Sequence, residues 1–182
     1  MNTALALVEY LKVPTGMMAA DKMVKSSEVQ IIHASTVCPG KYIVLFKGNL
    51  SAVKAALEVG TSAEFESNVI DSFILGNPTE QIFSAISGAT AIDLTGAIGI
   101  VESYSVASII EGADVAAKTS NVGLYEIRLA RGMCGKSYFI ISGELAAVQM
   151  SVETSKINLK EKGMLLDAAV IANPDKSFIE NL

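Results

Sequence analysis

The sequence predicts an α/β (α+β) protein made of two tandem domains, each a four-stranded sheet with helices on one side. Two observations carry this prediction: the chain repeats itself over nearly its whole length, and strand and helix periods alternate in the same order within each repeat. A third observation is a hydrophobic content of 51% in a chain whose apolar runs are all interrupted by polar residues. That combination predicts large subunit interfaces rather than a membrane span.

The duplication is visible as pairs of matching segments. Glu9 matches Glu102 at an offset of 93 (102 − 9 = 93), and Gly40 matches Gly135 at an offset of 95 (135 − 40 = 95), so two residues are inserted between these landmarks. Asp71 matches Asp167 at an offset of 96 (167 − 71 = 96). The matching segments are 6–10 with 99–103 (ALVEY and GIVES), 20–27 with 113–120 (ADKMVKSS and ADVAAKTS), and 40–53 with 135–148.

We place the two domains at residues 1–90 and 96–182. The linker near Gly88 to Gly96 consists mostly of small and polar residues.

Within the first repeat the periods predict the order β-α-β-β-α-β, which is that of a ferredoxin-like or related split βαβ layer. Thr15 is the expected cap of the first helix and Asn49 that of the second, since both side chains can accept a backbone amide. In the second repeat Ser105, Glu144 and Pro174 lie near the helix starts. The predicted elements are strand 4–11, helix 15–25, strands 29–34 and 42–46, helix 49–59, strand 69–75 and a short helix 79–86.

The segment S-T-V-C-P-G-K, residues 35–41, carries the main functional candidate. Cys38 ends an apolar strand and is followed by Pro39 and Gly40, which favour a turn because proline fixes φ and glycine permits φ > 0. The sequence therefore predicts a thiol presented at the tip of a tight loop between two strands.

Composition excludes several classes of function. The net charge of −5 without a basic cluster argues against nucleic acid as a partner, and no secretory signal or transmembrane segment is recognisable. We expect a cytoplasmic protein with free or metal-bound thiols, since two distant cysteines make a disulfide framework improbable. No catalytic triad, phosphate-binding loop or zinc spacing is present, and we expect no enzyme activity.

With these motifs the chain resembles the tandem-domain bacterial microcompartment shell proteins, and within them the iron–sulfur-bearing shell proteins of propanediol-utilisation microcompartments. The resemblance implies that a homotrimer imitates a hexameric tile and assembles with other shell proteins in a cytoplasmic microcompartment. It further implies that the loop before the G-K strand entry lines a central pore, where Cys38 of each subunit is a metal ligand for one [4Fe-4S] cluster per trimer. Lys25 and Lys118 match the family's edge lysine. An encapsulated or cytosolic redox enzyme is a candidate electron partner.

Symmetry agrees with this use of Cys38. A cluster needs about three or four thiolates, and one chain has two cysteines. Threefold repetition of one loop supplies three sulfurs and leaves one iron to a small ligand. We also expect amides of the Pro-Gly turn to point at the bridging sulfides.

Two alternatives stay open: a tile with an empty, metabolite-conducting pore, and a small-molecule-binding regulator on the same fold. Four further interpretations concern single residues. Cys134 is expected to be a packing residue near the pore, and His33 an exposed or interface residue of its strand. Lys41 and Lys136 are interpreted as structural or rim charges, and Glu9 and Glu102 as one structural position occurring twice.

Overall fold

The computed structural model describes residues 3–90 and 94–182 as two compact units. The first unit comprises the chain up to Pro78 together with Ala130–Gly135, and the second comprises Thr79–Leu129 and Lys136–Leu182. Two segments thus belong to the unit formed mainly by the other repeat. The domain boundaries at residues 90 and 96 stay a prediction, and positions 91–93 of the predicted linker, like positions 1–2, lie outside the described residues.

The first unit contains a four-stranded antiparallel sheet of order β2-β3-β1-β4. Its helices pack against each other and against β1, whose seven residues are all buried. The core is built around Tyr10, Met23, Phe46 and Phe65, which are at most 1% exposed. The elements are β1 Ala4–Tyr10, α1 Val13–Ser26, β2 Val29–Val37, β3 Lys41–Gly48, α2 Leu50–Gly60, a 3-10 turn Glu66–Asn68, and β4 Val69–Leu75.

The second unit repeats this sheet in the order β6-β7-β5-β8. Helices α4 and α5 pack together, and α3, which follows the last strand of the first repeat, packs on β6 and α4. The elements are α3 Gln81–Ser87, β5 Ala97–Ser103, α4 Val106–Thr119, β6 Val122–Arg128, β7 Ser137–Gly143, α5 Leu145–Glu161, β8 Leu165–Ile171, and α6 Lys176–Ile179.

The predicted fold class is confirmed, and so are several local features. Asn49 caps α2 by accepting the amide of Ala52 at 2.8 Å, and Ser105 caps α4 by accepting that of Ser108 at 3.1 Å. The predicted cap of α1 is wrong: the helix begins at Val13, ahead of Thr15. Proline within the first helical turn explains the earlier start, because its fixed φ suits that turn and the missing amide is not needed there.

Candidate functional site at the Cys38 turn

Cys38 lies at the tip of the hairpin between β2 and β3, as predicted. Its peptide bond to Pro39 is cis, and Gly40 has φ +100°. The amide of Gly40 donates to the carbonyl of Val37 at 3.0 Å and closes the turn. The thiol is half-buried, so this turn presents it to the surface without releasing it fully into solvent.

A second loop, Ala130–Gly135, belongs to the same unit and lies against this turn. The amide of Cys38 donates to the carbonyl of Ala130 at 3.2 Å. At Gly135, which has φ +89°, an added Cβ atom would lie 3.1 Å from the carbonyl oxygen of Cys38. Only glycine combines this backbone conformation with so close an approach. The match of Gly40 with Gly135 makes the two loops equivalent positions of the repeat, and it gave no sign that they are neighbours.

The two loops enclose an open depression of about 470 Å³. It is lined by Ser35, Thr36, Val37, Cys38, Gly40, Arg131 and Gly132.

Arg131 gives this region a positive charge, and His33 lies within hydrogen-bond distance of it. His33 Nε2 lies 2.7 Å from Ser35 Oγ and 3.4 Å from Arg131 Nη2. Burial, and secondly the charge of Arg131, lower the pKa of His33 below its usual value. Because a guanidinium can only donate, a neutral imidazole that accepts at Nε2 suits the contact with Arg131. In the part of the chain that the structure describes, no carboxylate lies within salt-bridge distance of Arg131, so its charge is not offset there.

His33 is therefore half-buried beside the candidate site rather than a freely exposed strand residue. Its neighbour Arg131 was missed at the sequence level. Because 98 residues separate the two positions, only the folded chain reveals the contact.

Cys134 is exposed and has φ +52°, so the interpretation as a packing residue is wrong. Gly132 and Gly135 flank it in the sequence, a pattern typical of close backbone approach on both sides. Only Gly135 meets neighbouring atoms, whereas a Cβ atom on Gly132 would meet nothing within 4 Å. Cys134 lies in the loop that contacts Cys38, and it is accessible.

The residues fit an iron–sulfur cluster in one respect and not in another. Residues 3–90 and 94–182 contain no group of three or more His, Cys, Asp or Glu side chains that could hold a metal ion, so a single chain supplies an incomplete ligand set. Cys38 is placed to be one ligand of a set shared among copies. The expectation that amides of the turn point at bridging sulfides is wrong, however. The amides of Cys38 and Gly40 already donate to backbone carbonyls, and Pro39 has no amide hydrogen.

The paired glutamates are structural, as expected. Glu9 is completely buried and its Oε1 accepts from Lys41 Nζ at 2.6 Å. The matching pair, Glu102 and Lys136, is 3.3 Å apart and more exposed. Each pair joins the strand that starts a repeat to the segment that follows the loop, since Lys41 begins β3 and Lys136 directly precedes β7, so both lysines are engaged structurally.

The two edge lysines lie in the last turn of α1 and α4. Lys25 pairs with Asp21 at 2.6 Å and Lys118 with Asp114 at 2.5 Å. The predicted role of these lysines at contacts between tiles stays a prediction.

None of the described helices has the length and apolar character needed to cross a membrane.

Comparison with known proteins places these features in a family. The BMC domain matches residues 4–78 and 97–174, so both repeats are covered. The chain is 37% identical to the bacterial microcompartment shell protein PduT of Citrobacter freundii, over 98% of this chain and 96% of that one. It is 26% identical to the carboxysome assembly protein CcmO of Synechococcus sp., over 98% of this chain and 68% of that protein.

Solved structures agree. A microcompartment protein from Desulfitobacterium hafniense DCB is 40% identical and superposes with a TM-score of 0.90 over 99% of both chains. The fused permuted hexameric shell protein MSM0275 has a TM-score of 0.66 at 17% identity, over 88% of this chain and 82% of that one, and shows likeness of fold alone. With one BMC domain in each of its two repeats, the chain belongs to the bacterial microcompartment shell proteins of the tandem-domain type.

Proposed function

We propose that three copies of this chain form a pseudohexameric shell tile whose threefold axis brings the Cys38 turns together around one [4Fe-4S] cluster. Two BMC domains per chain make six domains in a trimer. When bound, such a cluster supplies one-electron redox chemistry. The tile would then relay electrons across the shell, between the cytosol and an encapsulated redox enzyme, while it assembles with other shell proteins.

The observation that carries the proposal is the placement of Cys38. Its thiol is held at a tight hairpin tip, borders an open depression, and has no metal-binding group around it among the described residues of its own chain. Three symmetry-related thiolates leave one of four irons to water or a small ligand.

Arg131 supports the same use of the site. A cation that lines the same depression offsets negative charge that binds there. Three copies of Arg131 would surround the axis in the proposed trimer. Gly135 lets its loop approach Cys38 closely enough for this arrangement.

The test is anaerobic purification followed by iron and sulfide analysis of the wild type, Cys38→Ser and Cys134→Ser. Cys38→Ser removes every equivalent ligand in a trimer, so iron should fall to near zero rather than by a third. Cys134→Ser is the matched control, with an accessible thiol in the neighbouring loop, and it should keep most of the iron.

Iron retained in Cys38→Ser but lost in Cys134→Ser would show that the second loop supplies the ligand. Wild-type protein without iron or sulfide would favour the tile with an empty, metabolite-conducting pore. A stable monomer at micromolar concentration in light scattering would refute the trimer itself.

A further inference from the structure

Helix α3 packs within the second unit through two polar anchors and an apolar face. The amide of Thr79 donates to Asp114 Oδ1 at 2.8 Å, and Gln81 Oε1 accepts the amide of Leu124 at 2.7 Å. Ile82, which directly follows the second anchor, is completely buried. The segment that leaves the first repeat therefore covers a surface formed by α4 and β6.

The duplication places the same surface and the same segment in the chain a second time. Subtracting 93 from Asp114 and Leu124 gives Asp21 on α1 and Ile31 on β2. The strands agree in detail, because β2 and β6 both have a register shift directly after these positions. We name the region that contains Met17, Asp21, Ile31 and Ile32 the α1–β2 surface.

The docking segment has its own counterpart at the C-terminus. Adding 96 to Thr79, Gln81 and Ile82 gives Asp175, Ser177 and Phe178 (82 + 96 = 178). These residues cap and form α6, as their counterparts begin α3. We name residues 173–182 the C-terminal segment.

The two copies differ in burial. Ile82 is 0% exposed, whereas Phe178 is 46% exposed. On the receiving side, the side chain of Asp114 is 5% exposed and that of Asp21 is 58% exposed. The α1–β2 surface and the C-terminal segment are thus both uncovered in one chain, although their counterparts cover each other.

We propose that the C-terminal segment of one copy docks on the α1–β2 surface of a second copy. Phe178 takes the place of Ile82, the amide of Asp175 donates to Asp21, and Ser177 accepts the amide of Ile31. The occupant is inferred from the fold itself, because α3 shows which kind of segment covers the equivalent surface of α4 and β6.

The contact is directional, since the two surfaces that meet are different. Such a contact adds copies in one rotational sense until a ring closes. The inference therefore rests on the trimer proposed above and identifies the surfaces that close it.

The first experiment compares Phe178→Asp with Ile157→Asp in light scattering and analytical ultracentrifugation. Both replace an exposed apolar side chain of the second unit, 46% and 53% exposed, so neither should disturb folding. Phe178→Asp should raise the dissociation constant of the trimer on the order of 10- to 100-fold, because it places a charge at the centre of the contact. Ile157→Asp should leave it within about threefold. A trimer equally tight in both variants would overturn the inference.

The second experiment identifies the contact by cross-linking. In a Cys38→Ser, Cys134→Ser background, one chain carries Asp21→Cys and another carries Asp175→Cys, because their counterparts Asp114 and Thr79 are hydrogen-bonded to each other. Mixing them under mild oxidation should give a disulfide-linked dimer that neither protein gives alone. A chain with both substitutions should give a ladder that ends at a covalent trimer.

An intrachain cross-link in the doubly substituted chain, or no cross-link in the mixture, would overturn docking on a second copy. A wild-type trimer that resists both experiments would leave the trimer standing and refute only the surfaces assigned here. Monomeric wild-type protein would refute the trimer and the docking together.

Discussion

Both repeats contain the same ion pair between a glutamate and a lysine. Replacing Lys41 and Lys136 separately by methionine tests how burial changes the contribution of this pair to the free energy of unfolding. In the first repeat the side chain of Glu9 is 0% exposed and that of Lys41 is 17% exposed. In the second, Glu102 is 27% and Lys136 is 42% exposed, and the pair is longer, 3.3 Å against 2.6 Å. The repeat thus offers a matched control within one molecule.

The expected magnitudes follow from what each substitution leaves behind. Lys41→Met strands a buried carboxylate, and breaking a buried pair from one side costs about 3–5 kcal/mol. Glu9 has a further polar or electrostatic contact, so we expect a loss of about 2–4 kcal/mol in the free energy of unfolding. Lys136→Met should cost at most about 1 kcal/mol, because water still solvates Glu102.

The assay is urea denaturation of metal-free protein at one fixed protomer concentration, followed by circular dichroism. Hydrogen exchange of amides in β1 and β5 assigns each loss to its unit. The double variant Glu9→Gln, Lys41→Met should recover at least half of the loss, since no charge is then left buried. Equal losses for the two lysines, or no recovery in the double variant, would refute the argument from burial.

Three further predictions concern stability. Tyr10→Phe should lower the free energy of unfolding by about 1 kcal/mol, because the buried hydroxyl donates to a backbone carbonyl at 2.8 Å. Burial also raises the pKa of Tyr10, so wild-type stability should fall as pH rises above 10, and the variant should lack this fall in a pH series of melts. Burial and Arg131 lower the pKa of His33, so the contribution of His33 to the free energy of unfolding should be present above about pH 6.5 and decline below it. His33→Gln should flatten this pH dependence of stability in melts of the metal-free protein, and an unchanged pH dependence would contradict the lowered pKa. Gly135→Ala should cost about 1–3 kcal/mol and more than Gly132→Ala, since both have positive φ but only Gly135 meets neighbouring atoms; equal costs in denaturation would show that the close approach does not matter.

Much of the fold was predictable because it depends on local chemistry. The strand Val69–Leu75 has the predicted bounds, since Asn77-Pro78 follows it and ends the apolar run. Asn49 was recognisable as a cap because its side chain can accept the amide of the third residue along the chain. Cys38 was recognisable at a loop tip for a similar reason, since proline and glycine follow it directly.

What the sequence did not reveal depends on contacts between distant segments. A repeat alignment identifies equivalent positions and carries no information about which of them are neighbours. The match of Gly40 with Gly135 makes the loop of Arg131 the equivalent of the Cys38 loop, whereas the structure places the two loops against each other. In the same way α3 reads as the last helix of the first repeat, and it packs in the second unit. Apolar periodicity identified the faces to be buried without identifying their partners.

Duplication has a chemical consequence for the proposed site, because it allows the two repeats to diverge at equivalent loops. Six identical domains would bring six copies of one loop to an axis, which is more thiolates than the four irons of one cluster can use. In this chain only the first loop has the cysteine-proline-glycine turn, and the second supplies Arg131 and the close approach at Gly135. At the position of Cys38, which Met133 occupies in the second repeat, the proposed trimer therefore presents three thiolates instead of six, and the second loop adds three cations. That division of roles lowers the number of ligands to what a cluster needs and places positive charge beside the negative charge that they bring.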